Sequence, residues 1–476
     1  MFKNILIANR GEIACRIATT CRRLGIRSAA VYSEADADAR HVHSCDSAHF
    51  IGGASARDSY LRIDRILEAA RQAGADAIHP GYGFLSENAE FARRCQEAGL
   101  VFIGPTPETI EAMGDKANAK HRMSAHGVPV VPGYHGADLS PSRLATEADA
   151  IGYPLIIKAR AGGGGRGMRV VRERAAFEGA LATCQREAQA SFGDGAILLE
   201  RYIDRPRHIE VQIFGDTQGH QVHLFERDCS IQRRHQKVVE EAPAPGLDAR
   251  SRQRLGQAAL AAARALNYVG AGTVEFIAQG AQDGGIQAFY FMEMNTRLQV
   301  EHPVTELITG IDLVEWQLRV AAGQPLPRRQ EELTRYGHAI ELRLYAERPE
   351  KNFIPSTGCL TRMALPDGLR FASPPAATDG SVIRVDSGFQ AGDTVTPYYD
   401  ALLAKLIIWA PDRPGALAAA RQALAQTDVV GVGTNTALLA GILEHERFRA
   451  GPVDTHFIES ERETLGLQSI GASMRR

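Results

Sequence analysis

The chain opens as short apolar runs set between amphipathic stretches. Asn4-Ile5-Leu6-Ile7-Ala8 predicts a buried strand over Ile5–Ala8, and Asn9-Arg10-Gly11-Glu12 turns into a helix, Ile13–Leu24, that stops at Gly25. Ser28–Tyr32, Ala75–Ile78 and Leu100–Ile103 predict further strands. Strands alternating with helices predict a doubly wound α/β domain over residues 1–112. Beyond it come a helix, Lys116–His126, and the strands Pro154–Ala159, Arg169–Val171 and Ala196–Glu200. Glu240–Pro245 reads as a proline-containing turn, Ala258–Leu266 as an Ala-rich packing helix and Asp312–Val320 as an amphipathic one. From about 333 to 447 the alternation in His338–Leu344 and the run Leu403–Ile408 predict a mostly β region with a terminal helix or two. Phe371–Gly380 reads as a surface loop and 448–476 as a tail, frayed from Gly466 onward.

Around Asp283-Gly284-Gly285, the runs Thr273–Ala278 and Ala288–Met294 spell a β-hairpin. Folding it about Gly284 sets Glu275 opposite Glu293 on one face, where two carboxylates repel. Either both lie on a solvent face, or a divalent cation stands between them. With Asn295 close by, these oxygen donors suit Mg²⁺, a hard ion that shares its shell with phosphate oxygens. A one-residue bulge would break this register. Arg297 follows, a planar fork for a carboxylate-like anion. Glu301 stands near that fork as a candidate general base.

A second candidate is the run Gly162 to Gly165 after Lys158. Glycines let backbone N–H groups turn toward a phosphate chain, and Lys116 and Lys158 add point charge. The run reads as a linker or as a lid over nucleotide phosphates, and its place between two strands favours the lid. It is not a Walker A loop, and no G-x-G-x-x-G supports NAD or FAD. His79-Pro80-Gly81-Tyr82-Gly83-Phe84 follows a strand end and by itself reads as a tight turn.

At 476 residues the chain has room for roughly two to four domains. A net charge of −2 gives no broad basic face for nucleic acid or an acidic membrane. The basic run Arg233–Lys237 is followed at once by Glu240-Glu241, which favours a small anion over a polynucleotide. Seven cysteines with no Cys-x-x-Cys pair fit reduced thiols in a cytoplasm. No apolar run reaches membrane-spanning length, and the first strand starts too early for a signal or transit peptide on this chain.

The run from Glu293 to Glu306, EMNTRLQVEHPVTE, resembles the signature of the biotin carboxylases, which belong to the ATP-grasp enzymes. His79–Asn88, Glu226–Lys237 and Asn9–Glu12 are similar to other motifs of that family, so the resemblance covers about residues 3–465. It implies an N-terminal α/β domain (1–112), a central ATP-grasp domain (113–332) with a mobile lid near 130–203, and a C-terminal, mostly β biotin carboxylase domain (333–447). The implied reaction phosphorylates bicarbonate with ATP to carboxyphosphate, which then carboxylates the ureido nitrogen of biotin.

By the same resemblance, Lys116, Lys158, Gly163, Gly164, Gly165, Glu200, Ile203, His208, Gln232 and His235 contact ATP. Glu275, Glu293 and Asn295 hold Mg²⁺ or Mn²⁺. Tyr82, His235, Lys237, Arg297, Gln299, Val300 and Arg343 surround bicarbonate and biotin, with Glu301 the base. Asn9–Glu12 and Tyr398-Tyr399-Asp400 are given structural roles, and Cys229 is not taken as a nucleophile, since a carboxyphosphate route needs no thiol. Arg160 and Arg348 depart from the family pattern.

No Ala-Met-Lys-Met site occurs, so biotin is a substrate brought by a carrier domain or protein and is not attached to this chain. A carboxyltransferase subunit and a homodimer are further implied partners. Val31-Tyr32-Ser33 and Arg343–Glu347 look similar to α subunits of acyl-CoA carboxylases of the methylcrotonyl-CoA type, with an acetyl-CoA carboxylase subunit weighed beside it. Two other readings stand against these: another ATP-grasp ligase that phosphorylates bicarbonate, and a nucleotide-binding assembly module without turnover.

Overall fold

The computed structural model describes residues 1–161, 167–281, 285–372 and 380–467. The expected phosphate-loop glycines Gly163, Gly164 and Gly165, the hairpin centre Gly284, most of the loop at 371–380 and the end of the chain lie outside these residues.

Ile5, Leu6 and Ile7 are fully buried at the centre of a parallel sheet. Its strands stand in the order Ser47–Gly52, Arg27–Ser33, Asn4–Ile7, Ala77–His79, Val101–Phe102. The winding reverses between Asn4–Ile7 and Ala77–His79, and a crevice opens there at the carboxyl ends of the strands, where sheets of this kind bind ligands. Asn9 and the turn after His79 face each other across it. Asn9 Nδ2 donates to the carbonyls of Pro80 at 2.7 Å and Tyr82 at 2.8 Å. Gly81 holds φ +62°, and a Cβ there would stand 2.8 Å from Asn9 Nδ2, so the turn requires glycine.

A four-stranded sheet of Gly133–Tyr134, Ile197–Arg201, Leu155–Ala159 and Met168–Val171 forms a second unit. It packs against the helices Pro141–Ile151 and Phe177–Phe192 over a small core that includes Leu144, Ile157, Phe177 and Leu181.

The third sheet is the spine of the molecule. Eight antiparallel strands run in the order Ile286–Asn295, Gly270–Gly280, Arg207–Gly215, Gln221–Arg233, Gln236–Ala242, His338–Tyr345, Leu402–Ala410, Val382–Ser387. The sheet is continuous across the boundary expected near residue 332, because Gln236–Ala242 pairs with His338–Tyr345. The turn expected at Glu240–Pro245 therefore starts too early. Proline restrains only the residue before it, and toward an extended shape, so Glu240, Glu241 and Ala242 stay in the strand. The Ala-rich helix is longer than expected, Ala249–Ala265, because Asp248 caps it by accepting from Ser251 N. Residues expected as a tail pack instead: Phe448, Phe457 and Ile458 are buried in the core under the large sheet. Among the described residues no helix is long and apolar enough to cross a membrane.

Candidate active site

A cavity of about 800 Å³ opens between the N-terminal crevice, the four-stranded sheet and one end of the large sheet. Every described residue expected to contact nucleotide, metal, bicarbonate or biotin borders it: Lys116, Lys158, Glu200 and Ile203 near the small sheet, His208, Gln232, His235 and Lys237 on the large one. Glu275, Glu293, Asn295, Arg297, Gln299, Val300 and Glu301 come from the hairpin and its exit, with Tyr82 and Arg343 facing them.

The hairpin sets Glu275 opposite Glu293. It gets there with two register shifts, one after Glu275 and one before Gly280, so the pairing near the tip differs from that at the base. Glu275 Oε1 accepts from Lys237 Nζ at 2.8 Å, Asn295 Nδ2 at 2.9 Å and Gln299 Nε2 at 3.1 Å. Its Oε2 lies 3.0 Å from His208 Nε2. Burial opposes the charge of Glu275, yet Lys237 and His208 outweigh it and hold the carboxyl below its usual range. Glu293 goes the other way, pushed up first by burial and then by Glu275. One carboxylate is thus compensated and its neighbour is not. A divalent cation would supply what Glu293 lacks, and the oxygen donors of Glu275, Glu293 and Asn295 fit Mg²⁺ or Mn²⁺.

Beside this pair lies a chain of alternating charge. Lys237 Nζ is 2.6 Å from Glu210 Oε2 and 2.5 Å from Glu301 Oε1. Glu301 Oε2 accepts from Arg343 Nη2 at 2.8 Å, and Arg343 Nε donates to Glu240 Oε1 at 2.6 Å. Burial would raise the Glu301 carboxyl, but Lys237, Arg343 and Arg227 hold it well below the ordinary value, so it is ionised. Arg297 is aimed by three side-chain acceptors, Glu87 Oε2 at 2.7 Å, Gln299 Oε1 at 2.9 Å and Asn295 Oδ1 at 3.0 Å, and by the Leu298 carbonyl at 3.3 Å. Tyr82 donates its hydroxyl to Glu12. Burial, with Glu210 next, pushes the Cys229 thiol well above its usual range, which suits no nucleophile.

At the other end of the cavity, Lys158 Nζ is 2.6 Å from Glu200 Oε2, and Lys120 meets the same carboxylate. Burial, then Lys116, lowers Lys158 to about 8. Gln232 Nε2 bridges His208 Nδ1 at 2.6 Å and the Cys229 carbonyl at 2.7 Å. His235 sits with Arg234 in the tight turn between two strands, both with positive φ, as a two-residue hairpin demands.

Residues 1–110 match the family described as "Biotin carboxylase, N-terminal domain", residues 115–329 "Carbamoyl-phosphate synthase L chain, ATP binding domain" and residues 341–460 "Biotin carboxylase C-terminal domain". A protein named "Biotin carboxylase" from Halalkalibacterium halodurans is 52% identical over 458 residues, 96% of this chain and 97% of that protein. The chain belongs to the biotin carboxylase family. Members of this family are ATP-dependent ligases that carboxylate biotin.

The rat mitochondrial methylcrotonoyl-CoA carboxylase subunit alpha is 52% identical over 461 residues, but the chain spans only 62% of its length. Among solved structures, the biotin carboxylase domain dimer of Hydrogenobacter thermophilus 2-oxoglutarate carboxylase, in complex with MgADP, ADP and bicarbonate, superposes with a TM-score of 0.90 at 46% identity. That match covers 98% of this chain and 100% of that one. The biotin carboxylase–β,γ-ATP complex from Campylobacter jejuni gives 0.89 at 44%, covering 97% and 99%.

Several residues that shape this biotin carboxylase cavity were not read from the sequence. Lys120 follows Lys116 by one helical turn, which puts both on one face; that spacing was a usable signal. Glu210 alternates with His208 on one strand and was legible in the same way. Glu240 was hidden by the early placement of the turn. Glu87 reaches Arg297 from the N-terminal domain, and Thr455 and His456 reach the cavity from the C-terminal segment; no local pattern announces these contacts.

Proposed function

We propose that this chain carries out ATP- and bicarbonate-dependent carboxylation of carrier-borne biotin through carboxyphosphate. The observation that carries the reading is Glu301 held between Lys237 and Arg343, within one cavity with Arg297 and the Glu275/Glu293 pair. Lys116, Lys158 and Lys237 offset the charge of two anions brought together. Glu275, Glu293 and Asn295 would hold Mg²⁺ or Mn²⁺, which supplies charge neutralisation on the phosphates. Glu200 and Ile203 border the base, His208 the ribose and phosphates, and Gln232 and His235 the nucleotide; the expected phosphate-loop glycines lie outside the described residues. Arg297, with the backbone near Gln299 and Val300, orients bicarbonate.

Glu301 takes the bicarbonate proton. An anion placed against Lys237 and Arg297 shares their positive field and so raises Glu301 toward the range of a working base. Arg343 then stabilises the ureido enolate of biotin beside Tyr82.

In this reading the partners are a biotin carrier domain or protein and a carboxyltransferase subunit, and the chain pairs as a homodimer. The acyl acceptor is methylcrotonyl-CoA, supported by the names of relatives such as those of rat (52%) and Arabidopsis thaliana (54%). Seven free cysteines support a cytoplasmic location; recovery in a mitochondrial fraction would overturn it. The function is tested by ATP hydrolysis by the purified chain with Mg²⁺ and bicarbonate, with and without biotin. Bicarbonate-dependent phosphate release, stimulated by biotin, is expected. Release indifferent to bicarbonate defeats the reading.

A further inference from the structure

Behind Arg343 the large sheet buries two carboxylates to which the proposed reaction gives no part. Glu240 and Glu341 lie opposite each other on Gln236–Ala242 and His338–Tyr345, and both are 0% exposed. Opposite residues of an antiparallel pair point to the same face, so the two groups are held together by the backbone. Glu240 Oε1 is engaged by Arg343, 2.6 Å from Nε and 2.5 Å from Nη2. Glu240 Oε2 and both oxygens of Glu341 accept no hydrogen bond among the described residues.

The cations nearby are already engaged. Lys405 stands opposite Arg343, with its ammonium 3.1 Å from Glu12 and 2.9 Å from the Val300 carbonyl. Lys237 is shared by Glu210, Glu275 and Glu301. Arg384, on the edge strand, is bound by Asp386 and by Glu306 of the covering helix His302–Thr309. On that helix, burial together with Lys405, Arg16 and Arg384 keeps the His302 ring neutral. Glu301 adds a further negative charge on the far side of Arg343. Two buried carboxylates so placed cannot both ionise cheaply. Burial pushes both up, Glu240 to about 7 and Glu341 well above its ordinary value even with Lys405 opposing.

We propose that Glu240 and Glu341 share one proton, and that this proton fixes where the Arg343 guanidinium stands. With the proton in place, Arg343 divides its donors between Glu240 and Glu301 and faces the cavity. Its loss puts a second negative charge behind the guanidinium and draws it back from the substrate. Both glutamates are positioning residues, and the inference rests on the reading of Arg343 as the group that meets the biotin ureido oxygen.

The test follows kcat/KM for free biotin against pH in the whole chain and in E341Q, whose amide keeps the shape of the protonated acid. Infrared spectra of the wild type are recorded over the same range. The wild type is expected to lose about tenfold per pH unit above the titration, the slope of one proton. Its carboxylic-acid band disappears over that interval, and E341Q shows no such fall. The same alkaline fall in E341Q, or a wild type without the band at neutral pH, overturns the proposal. If E341Q does not fold, the coincidence of band loss and activity loss in the wild type decides. A wild type that shows the band but no biotin-stimulated turnover keeps the shared proton, and what fails is the carboxylase reading.

Discussion

Arg343 and Glu301 share one hydrogen bond but are expected to fail differently when replaced. Removing an electrostatic stabiliser of a transition state costs roughly 2.7–4 kcal/mol, so Arg343→Ser should slow biotin carboxylation about 10²–10³-fold. Bicarbonate-dependent ATP hydrolysis measured without biotin should be far less affected, because the role proposed for Arg343 falls after carboxyphosphate has formed. Equal losses in both assays would place Arg343 in the first step. Glu301→Gln keeps the shape of the side chain and removes the proposed base. It should abolish biotin-dependent turnover while ATP still binds by calorimetric titration, and near-normal turnover would take Glu301 out of the proton transfer. Because Lys237 and Arg343 both lean on its carboxylate, the same variant also loosens two cations.

Among the elements, the strand His338–Tyr345 carries the most. It pairs on one side with Gln236–Ala242 and on the other with Leu402–Ala410, and so sets Arg343 beside Glu240 and opposite Lys405. Its end is pinned by Asn435, fully buried, whose Nδ2 donates 2.9 Å to the Arg343 carbonyl and whose Oδ1 accepts 2.8 Å from Tyr345 N. Asn435→Ala leaves buried backbone groups without those partners, at a cost of about 1–3 kcal/mol. A lower unfolding temperature is expected, with a larger loss in biotin carboxylation than in ATP binding. An unchanged melting curve would mean that other contacts hold this strand end.

Over the whole molecule, charge is buried where sheets and helices meet. Arg16 of the first helix reaches Glu306 and Asp312, and Arg384 ties Glu306 to Asp386, which links the N-terminal domain through the covering helix to the edge strand Val382–Ser387 of the large sheet. Glu241 makes a similar joint, 2.8 Å from His338 and 2.6 Å from Arg413. Burial opposes its charge, but His338 and Arg413 prevail and lower it from 4.5 to about 2. The folded value lies below the unfolded one. This contribution, about 3 kcal/mol, is therefore complete above pH 4.5 and lost as the pH falls toward 2. Glu241→Gln should be less stable than the wild type at pH 6, with the difference closing at low pH; a difference constant with pH would dismiss the ion pair as the cause.

The sequence by itself determined the local elements and the identity of most cavity residues. Side-chain period and turn residues act over a few positions, which is why the parallel strands, the hairpin and the pair Glu275/Glu293 were legible. Even there the agreement has two parts. A fold about Gly284 finds the pair at the base of the hairpin, while two register shifts along the arms, which no local pattern announces, carry the chain to it. What only the tertiary structure decided is which groups from distant strands share a charge. Glu87 against Arg297, Glu240 behind Arg343, and Thr455 and His456 at the cavity depend on sheets and helices that meet over hundreds of residues. Electrostatic compensation of a buried group depends on distance in space, and no periodicity along the chain encodes it.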